Sequence, residues 1–145
     1  MGCGRFCNEY VPMLGKIDAK DLTDTSEYPN LQGKRVLIVE DDPILAVDYH
    51  YQLKGVGAIA EGFKATSREA LNYLASHDVD AAIVDFFLCD GTGESIIDAL
   101  KLRGIPFIVI SGCTFRMQGE IGQAHVLSKP VLPDEICQAL SEALH

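Results

Sequence analysis

Asp41, Asp42 and Asp85 are the residues of this sequence best suited to chemistry, provided the fold gathers them with the Ser111 hydroxyl and the Lys129 ammonium. Three carboxylates held close repel one another, and a divalent cation relieves that repulsion. Carboxylate oxygens suit Mg²⁺, which keeps several waters that a phosphate oxygen can replace. An aspartate so placed can attack a phosphoryl group and form an aspartyl phosphate. The group in transfer carries negative charge on its equatorial oxygens; Lys129 supplies an opposing cation and Ser111 a hydrogen-bond donor. Taken singly, these residues have plainer readings. An acidic pair after a strand suits a helix N-cap, Asp85 suits a strand-end turn, and a lysine before Pro130 suits a solvated loop. Only their convergence makes the chemistry.

Convergence needs a scaffold. Five short apolar runs, at 35–39, 58–62, 81–85, 106–110 and 125–127, are each followed by a helical pattern. Near-continuous Val/Ile/Leu runs mark strands buried on both faces, and therefore a parallel sheet. Ile44, Val47 and Tyr51 share one helical face, as do Leu71 with Leu74 and Ile97 with Leu100. In that first helix, Tyr51 is expected in the core and Tyr49 at the surface. Pro43 suits a first helical turn, Thr66 and Glu69 have capping-box spacing, and Leu132-Pro133-Asp134 opens a last helix carrying Ile136 and Leu140. Alternation repeated five times predicts an α/β domain built on a doubly wound five-stranded parallel sheet. Ligands of such sheets bind beyond the carboxyl ends of the strands. Glu40-Asp41-Asp42, Asp85, Ser111 and Ser128-Lys129-Pro130 stand at those ends.

Composition narrows the partners. The chain has 145 residues, 48% hydrophobic, with 21 Asp+Glu against 12 Lys+Arg and a formal charge of −9. At roughly 100–200 residues per domain, this fits one domain without a separate catalytic or DNA-binding module. The acidic balance argues against direct nucleic-acid binding, which needs a basic face. No apolar run approaches the roughly 20 residues of a spanning helix, and no apolar core follows a basic start, so neither membrane nor export is expected. Met1-Gly2-Cys3 is similar to a myristoylation start, but Phe6 stands where Ser or Thr is required. Five cysteines, an odd number, fit a reduced cytoplasm. Cys3 and Cys7 have no second Cys/His pair at zinc-like spacing. Residues 1–33 show little periodicity and are expected to form a loosely ordered extension, ending at Tyr28-Pro29-Asn30 and Gly33, before a domain at 34–145. Tyr10, Val11, Met13 and Leu14 form its apolar cluster, suited to packing on the domain or on a partner.

Val36-Leu37-Ile38-Val39-Glu40-Asp41-Asp42-Pro43, then Asp85, Ser111 and Lys129-Pro130, make residues 34–145 resemble the receiver domain of two-component response regulators. The resemblance implies a flavodoxin-like strand order, 2-1-3-4-5. It implies Asp85 as phosphoacceptor, and Asp41, Asp42, Asp85 and the backbone carbonyl of Phe87 as ligands of Mg²⁺. Ser111 and Lys129 would contact the phosphoryl group, and Lys129–Pro130 would be a cis peptide. The implied donor is a sensor histidine kinase or a phosphotransfer protein, and the output is conformational change, binding of a downstream protein or phosphorelay in the cytoplasm, without enzymatic turnover. Two features depart from the pattern. Val126 stands three residues before the lysine, where receivers usually carry the aromatic residue of a two-state switch. The stretch from Ser111 to Lys129 is short and interrupted by Gly112, Gly119 and Gly122, which predicts a short or irregular fourth helix. That stretch, with the run from Gly104 to Gly112, resembles stand-alone receivers associated with alphaproteobacterial sensor kinases. A dehalogenase-like phosphatase would want a second aspartate where Phe87 stands, and a flavodoxin-like carrier would find its phosphate repelled by Glu40-Asp41-Asp42. The rival reading is a pseudo-receiver, an interaction module with the fold but no productive phosphorylation.

Overall fold

The computed structural model of the chain describes residues 27–112, 125–132 and 134–144. Seven strands are present among them: β1 (Arg35–Val39), β2 (Ile59–Lys64), β3 (Ala81–Asp85), β4 (Phe87–Leu88), β5 (Gly91–Thr92), β6 (Phe107–Ser111) and β7 (His125–Ser128). The helices are α1 (Pro43–Gly55), α2 (Ser67–Ser76), α3 (Glu94–Leu102) and α4 (Glu135–Ala143). Five strands form one parallel sheet in the order β2-β1-β3-β6-β7, which is the expected 2-1-3-4-5 order of the five apolar runs. The antiparallel pair β4–β5 was not expected; it is a short hairpin between β3 and α3. The fourth helix expected after Ser111 falls outside the described residues, as does the extension up to residue 26.

Successive residues of a strand point to opposite faces, and both faces of this sheet are covered. Leu37, Val39, Ala82, Val84, Phe107 and Val109 pack against Ala70 and Leu74 of α2 and Ile96, Ile97 and Leu100 of α3. Val36, Ile38, Ala81, Ile83, Ile108 and Ile110 pack against Ala46, Tyr49 and Leu53 of α1 and Ile136, Ala139 and Leu140 of α4. α1 corrects the sequence reading. Tyr49 is buried, at 2% exposure, whereas Ile44 and Tyr51 are 78% and 65% exposed and Val47 is exposed as well. The helix turns its smaller alanine and one tyrosine inward, and leaves its most regular apolar stripe outside.

Packed structure also begins earlier than the boundary expected at Gly33. Leu31, in a short 3-10 turn (Pro29–Leu31), is fully buried. The Tyr28 hydroxyl donates to Asp134 Oδ2 at 2.9 Å, and Asn30 and Ser141 exchange two hydrogen bonds of 2.8 Å. These contacts fix the entering chain along α4. Elsewhere the local chemistry follows expectation: Thr66 Oγ1 accepts the Glu69 N–H at 3.1 Å, and the Glu69 carboxylate accepts the Ala65 N–H at 3.2 Å. In β2 the register shifts by one residue opposite Leu37, and Gly62 takes the positive φ (+84°) that the kink requires. No helix among the described residues is long and apolar enough to cross a membrane.

Candidate functional site

The carboxyl ends of β1, β3, β6 and β7 bring Glu40, Asp41, Asp85, Ser111 and Lys129 to one edge of the sheet. One carboxylate oxygen each from Glu40, Asp41 and Asp85 lies within 4.8 Å of the others. Glu40 and Asp85 are almost fully buried, at 1% and 4% exposure. The Lys129 ammonium stands 3.1 Å from Asp85 Oδ2 and 3.4 Å from Glu40 Oε1. Lys129 is itself held by its backbone, whose N–H donates to the Ser111 carbonyl at 2.9 Å, and the Lys129–Pro130 peptide is cis. Ser111 is buried at the end of β6, opposite Ser128.

Asp42 is placed differently from the sequence expectation. Its Oδ1 accepts the Ile44 N–H at 2.9 Å and the Leu45 N–H at 3.5 Å, so it is the N-cap of α1 and Glu40 takes its place in the carboxylate cluster. The signal was in the sequence. Pro43 at the first helical position makes the preceding residue the cap.

Burial is the main force on the Glu40 carboxyl, pushing it up to about 7; a hydrogen bond and charge repulsion from Asp85 add to this, while the Asp42 N–H and Lys129 oppose it. Burial disfavours the charge on Lys129, but Asp85 and Glu40 outweigh it and the ammonium is held above its ordinary range. The cluster thus holds more negative charge than one lysine balances. Glu40 Oε1 is buried with the Lys129 ammonium, at 3.4 Å, against it. An all-oxygen set of three converging carboxylates, balanced by one lysine, fits a hard divalent cation.

The loop after β3 is held on three sides. Phe87 N–H donates to Asp85 Oδ1 at 3.3 Å, which aims the aspartate. The Cys89 thiol donates to Asp41 Oδ2 at 3.1 Å, and this contact raises the thiol above its usual range. Asp90 accepts the Ser67 N–H (3.0 Å), the Ser67 hydroxyl (2.7 Å) and the Arg68 N–H (3.2 Å), satisfying donors that the first turn of α2 would otherwise leave free. At the far side Val126 pairs with Val109 and packs into the core layer of α2 and α3. Glu40, Tyr49, Cys89 and Asp90 were not singled out from sequence for these roles. Tyr49 is buried, and its hydroxyl is pushed above the ordinary tyrosine range by that burial first and then by the charges of Glu40 and Asp85.

No protein-family model matches the chain. The phyllosphere-induced regulator PhyR of Methylorubrum extorquens is 29% identical over 132 residues, covering 86% of this chain and 49% of PhyR. The chain spans about half the length of the curated relatives it matches. The solution structure of SdrG from Sphingomonas melonis Fr1 is 30% identical, with a TM-score of 0.68 over 78% of this chain and 98% of that one. A CheY-like response regulator receiver domain protein from Methanospirillum hungatei JF-1 is 28% identical, with a TM-score of 0.69 over 78% of this chain and 94% of its own. A likeness that takes in nearly all of both solved structures, on a sheet with this strand order and these acids at its carboxyl edge, shows that the chain belongs to the response regulator receiver-domain family, whose members are signalling proteins and not turnover enzymes.

Proposed function

We propose that this receiver accepts a phosphoryl group on Asp85 from a phosphohistidine of a sensor kinase or phosphotransfer protein, in a Mg²⁺-dependent reaction. The observation that carries the reading is the position of Asp85, a buried carboxylate at the end of the central strand, 3.1 Å from a lysine ammonium and grouped with two further acids. An Asp85 carboxylate oxygen forms the new bond to phosphorus as the phosphorus–nitrogen bond of the donor breaks, and the imidazole keeps that electron pair. Mg²⁺ held by Glu40, Asp41, Asp85 and the Phe87 carbonyl would neutralise the oxygens of the group in transfer. Lys129 gives up its pairing with the free carboxylate and follows the charge onto the phosphoryl oxygens. Ser111, one residue beyond the partner of Asp85 in the sheet, supplies a hydroxyl at the same carboxyl edge. Moving these two groups shifts the loops that carry them, and the output is a population shift read by a binding partner or by onward phosphoryl transfer. The unpaired Cys89 and Cys137 suit a reduced, cytoplasmic setting.

The test is the intact mass after incubation with a small-molecule phosphodonor and Mg²⁺. The wild-type chain gains one phosphoryl group; Asp85→Ala and Asp85→Asn do not, and neither does the wild type in chelator. Labelling of Asp85→Asn at the wild-type rate would overturn the assignment. One observation favours a second reading, a pseudo-receiver that binds partners without phosphorylation. Val126 packs in the core where the usual switch would place a mobile aromatic ring. No mass gain with small donors or with candidate kinases would favour that reading.

A further inference from the structure

The β4–β5 hairpin begins two residues after Asp85 and is very short. Phe87 pairs with Thr92 and Leu88 with Gly91, which leaves Cys89 and Asp90 as its tip. From that tip two neighbouring side chains reach different elements. The Cys89 thiol donates to Asp41 Oδ2 just past the end of β1, and Asp90 holds the first turn of α2 through Ser67 and Arg68. The two holds are unequal. A thiol is a weak donor, and its acceptor here belongs to the carboxylate cluster. Asp90 accepts three hydrogen bonds of 2.7, 3.0 and 3.2 Å at a helix N-terminus, where negative charge is favoured. Those donors keep its carboxyl below the usual aspartate range. Leu88, next to the tip, is buried in the same core layer as Ala70 and Leu74 of α2.

On the cluster side the hairpin is held by the Cys89 thiol on Asp41 and by the Phe87 N–H on Asp85 Oδ1. A hydrogen bond to an ionised acceptor is roughly twice as strong as one to a neutral acceptor. A cation on Asp41, or a phosphoryl group on Asp85, takes up the charge of these acceptors and weakens both bonds. The hold on α2 is untouched by either event. Taking the cluster as a site for Mg²⁺ and a phosphoryl group, we propose that the β4–β5 hairpin carries its occupancy to the N-terminal turn of α2, with Asp90 as the coupling residue. Filling the cluster loosens the tip from Asp41, and the hairpin and the first turn of α2 shift together. The surface that changes is the one bearing Arg68 and Glu69, both exposed. It lies away from β7, where Val126 is packed in the core.

The test follows ¹H–¹⁵N resonances of the full chain through a Mg²⁺ titration and then through addition of a small-molecule phosphodonor. In the wild type, Asp41 and Phe87 shift as the cluster fills, and Ser67 and Arg68 shift with them. In Asp90→Ala the shifts of Asp41 and Phe87 remain and those of Ser67 and Arg68 are lost. Thr66 Oγ1 still caps α2 in that variant, and unmoved Leu53 and Leu140 resonances on the other face of the sheet report an intact fold. Asp90→Asn, which keeps one acceptor oxygen, restores part of the α2 response. Shifts at Asp41 and Phe87 with Ser67 and Arg68 unmoved in the wild type overturn the proposal and leave the reading of the cluster standing. An α2 response in Asp90→Ala equal to that of the wild type overturns it as well. A chain whose Asp41, Asp85 and Phe87 resonances ignore both Mg²⁺ and the phosphodonor refutes the reading of the cluster itself, and the coupling falls with it.

Discussion

Asp41 and Asp42 are adjacent, identical and acidic, yet the structure gives them separable tasks, and a pair of substitutions exposes the difference. Asp42→Ala removes the N-cap of α1. Its carboxylate takes one short bond at 2.9 Å and one long bond at 3.5 Å, so the loss is about 1 kcal/mol, near the middle of the capping range. The lost charge at the helix N-terminus adds a few tenths of a kcal/mol. For a domain of this size the thermal midpoint falls by roughly 5 °C. Asp41→Asn instead removes one of three carboxylates that converge within 4.8 Å. In chelator that variant unfolds no earlier than wild type, because it relieves repulsion. The assay is a set of thermal scans over a Mg²⁺ titration. A cation that binds only the folded state stabilises it by about 2.7 kcal/mol at a hundred times its Kd. Wild type and Asp42→Ala show the same Mg²⁺ increment from different baselines. Asp41→Asn shows a midpoint displaced to at least about tenfold higher Mg²⁺, a loss of about 1.4 kcal/mol. The reverse pattern, with Asp42→Ala losing the increment and Asp41→Asn keeping it, would refute the reasoning and return Asp42 to the metal-binding pair.

Two further predictions concern the same edge. Glu40 is raised to about 7 from the ordinary glutamate value, so its protonated form favours the fold. The stability it contributes is fully present below about pH 4.3, the unfolded value, and drains away as pH climbs through about 7. Denaturant midpoints of the metal-free chain therefore decline across that window, and Glu40→Gln flattens the decline; an unchanged slope counts against the buried, carboxylate-coupled Glu40. Gly93 caps α3, and a Cβ there would stand 2.9 Å from Val84 Cγ1 and 3.2 Å from the Asp85 carbonyl oxygen. Gly93→Ala forces the strand end carrying Asp85 to move and destabilises by about 1–3 kcal/mol, measured by urea unfolding; a change within error would mean that the loop yields freely.

The sheet was legible because its three inner strands, β1, β3 and β6, are buried on both faces and so write themselves as unbroken apolar runs. Even 58–62, the faintest run, marks the β2 strand that forms at Ile59–Lys64. α1 was misread for the opposite reason. Ile44, Val47 and Tyr51 have the spacing of a core face, and periodicity alone does not say which side of a helix meets the sheet. Ala46 is small, and Tyr49 carries a polar hydroxyl, so the inward face is the less apolar-looking one. The site edge followed from the strand ends, but the partition within Glu40-Asp41-Asp42 depends on where β1 stops and α1 starts, a matter of one residue. The Asp90 and Cys89 contacts join residues 22 to 48 positions apart, and nothing local encodes them.

The register shift in β2 bears on how the domain behaves in company. β2 ends the sheet, and an end strand presents unpaired N–H and C=O groups on which another chain can add. Ile59 and Phe63 are exposed there and would invite such addition. The kink divides the strand, however: Ile59 and Ala60 keep one register with β1, and Phe63 and Lys64 keep the next. A visiting strand meets two offset stretches of two residues, with the Lys64 ammonium drawn over the Tyr73 ring at 4.6 Å beside the second. Neither stretch is long enough to seed a cross-β stack. Gly62 thereby lets this end of the sheet stay open without becoming adhesive.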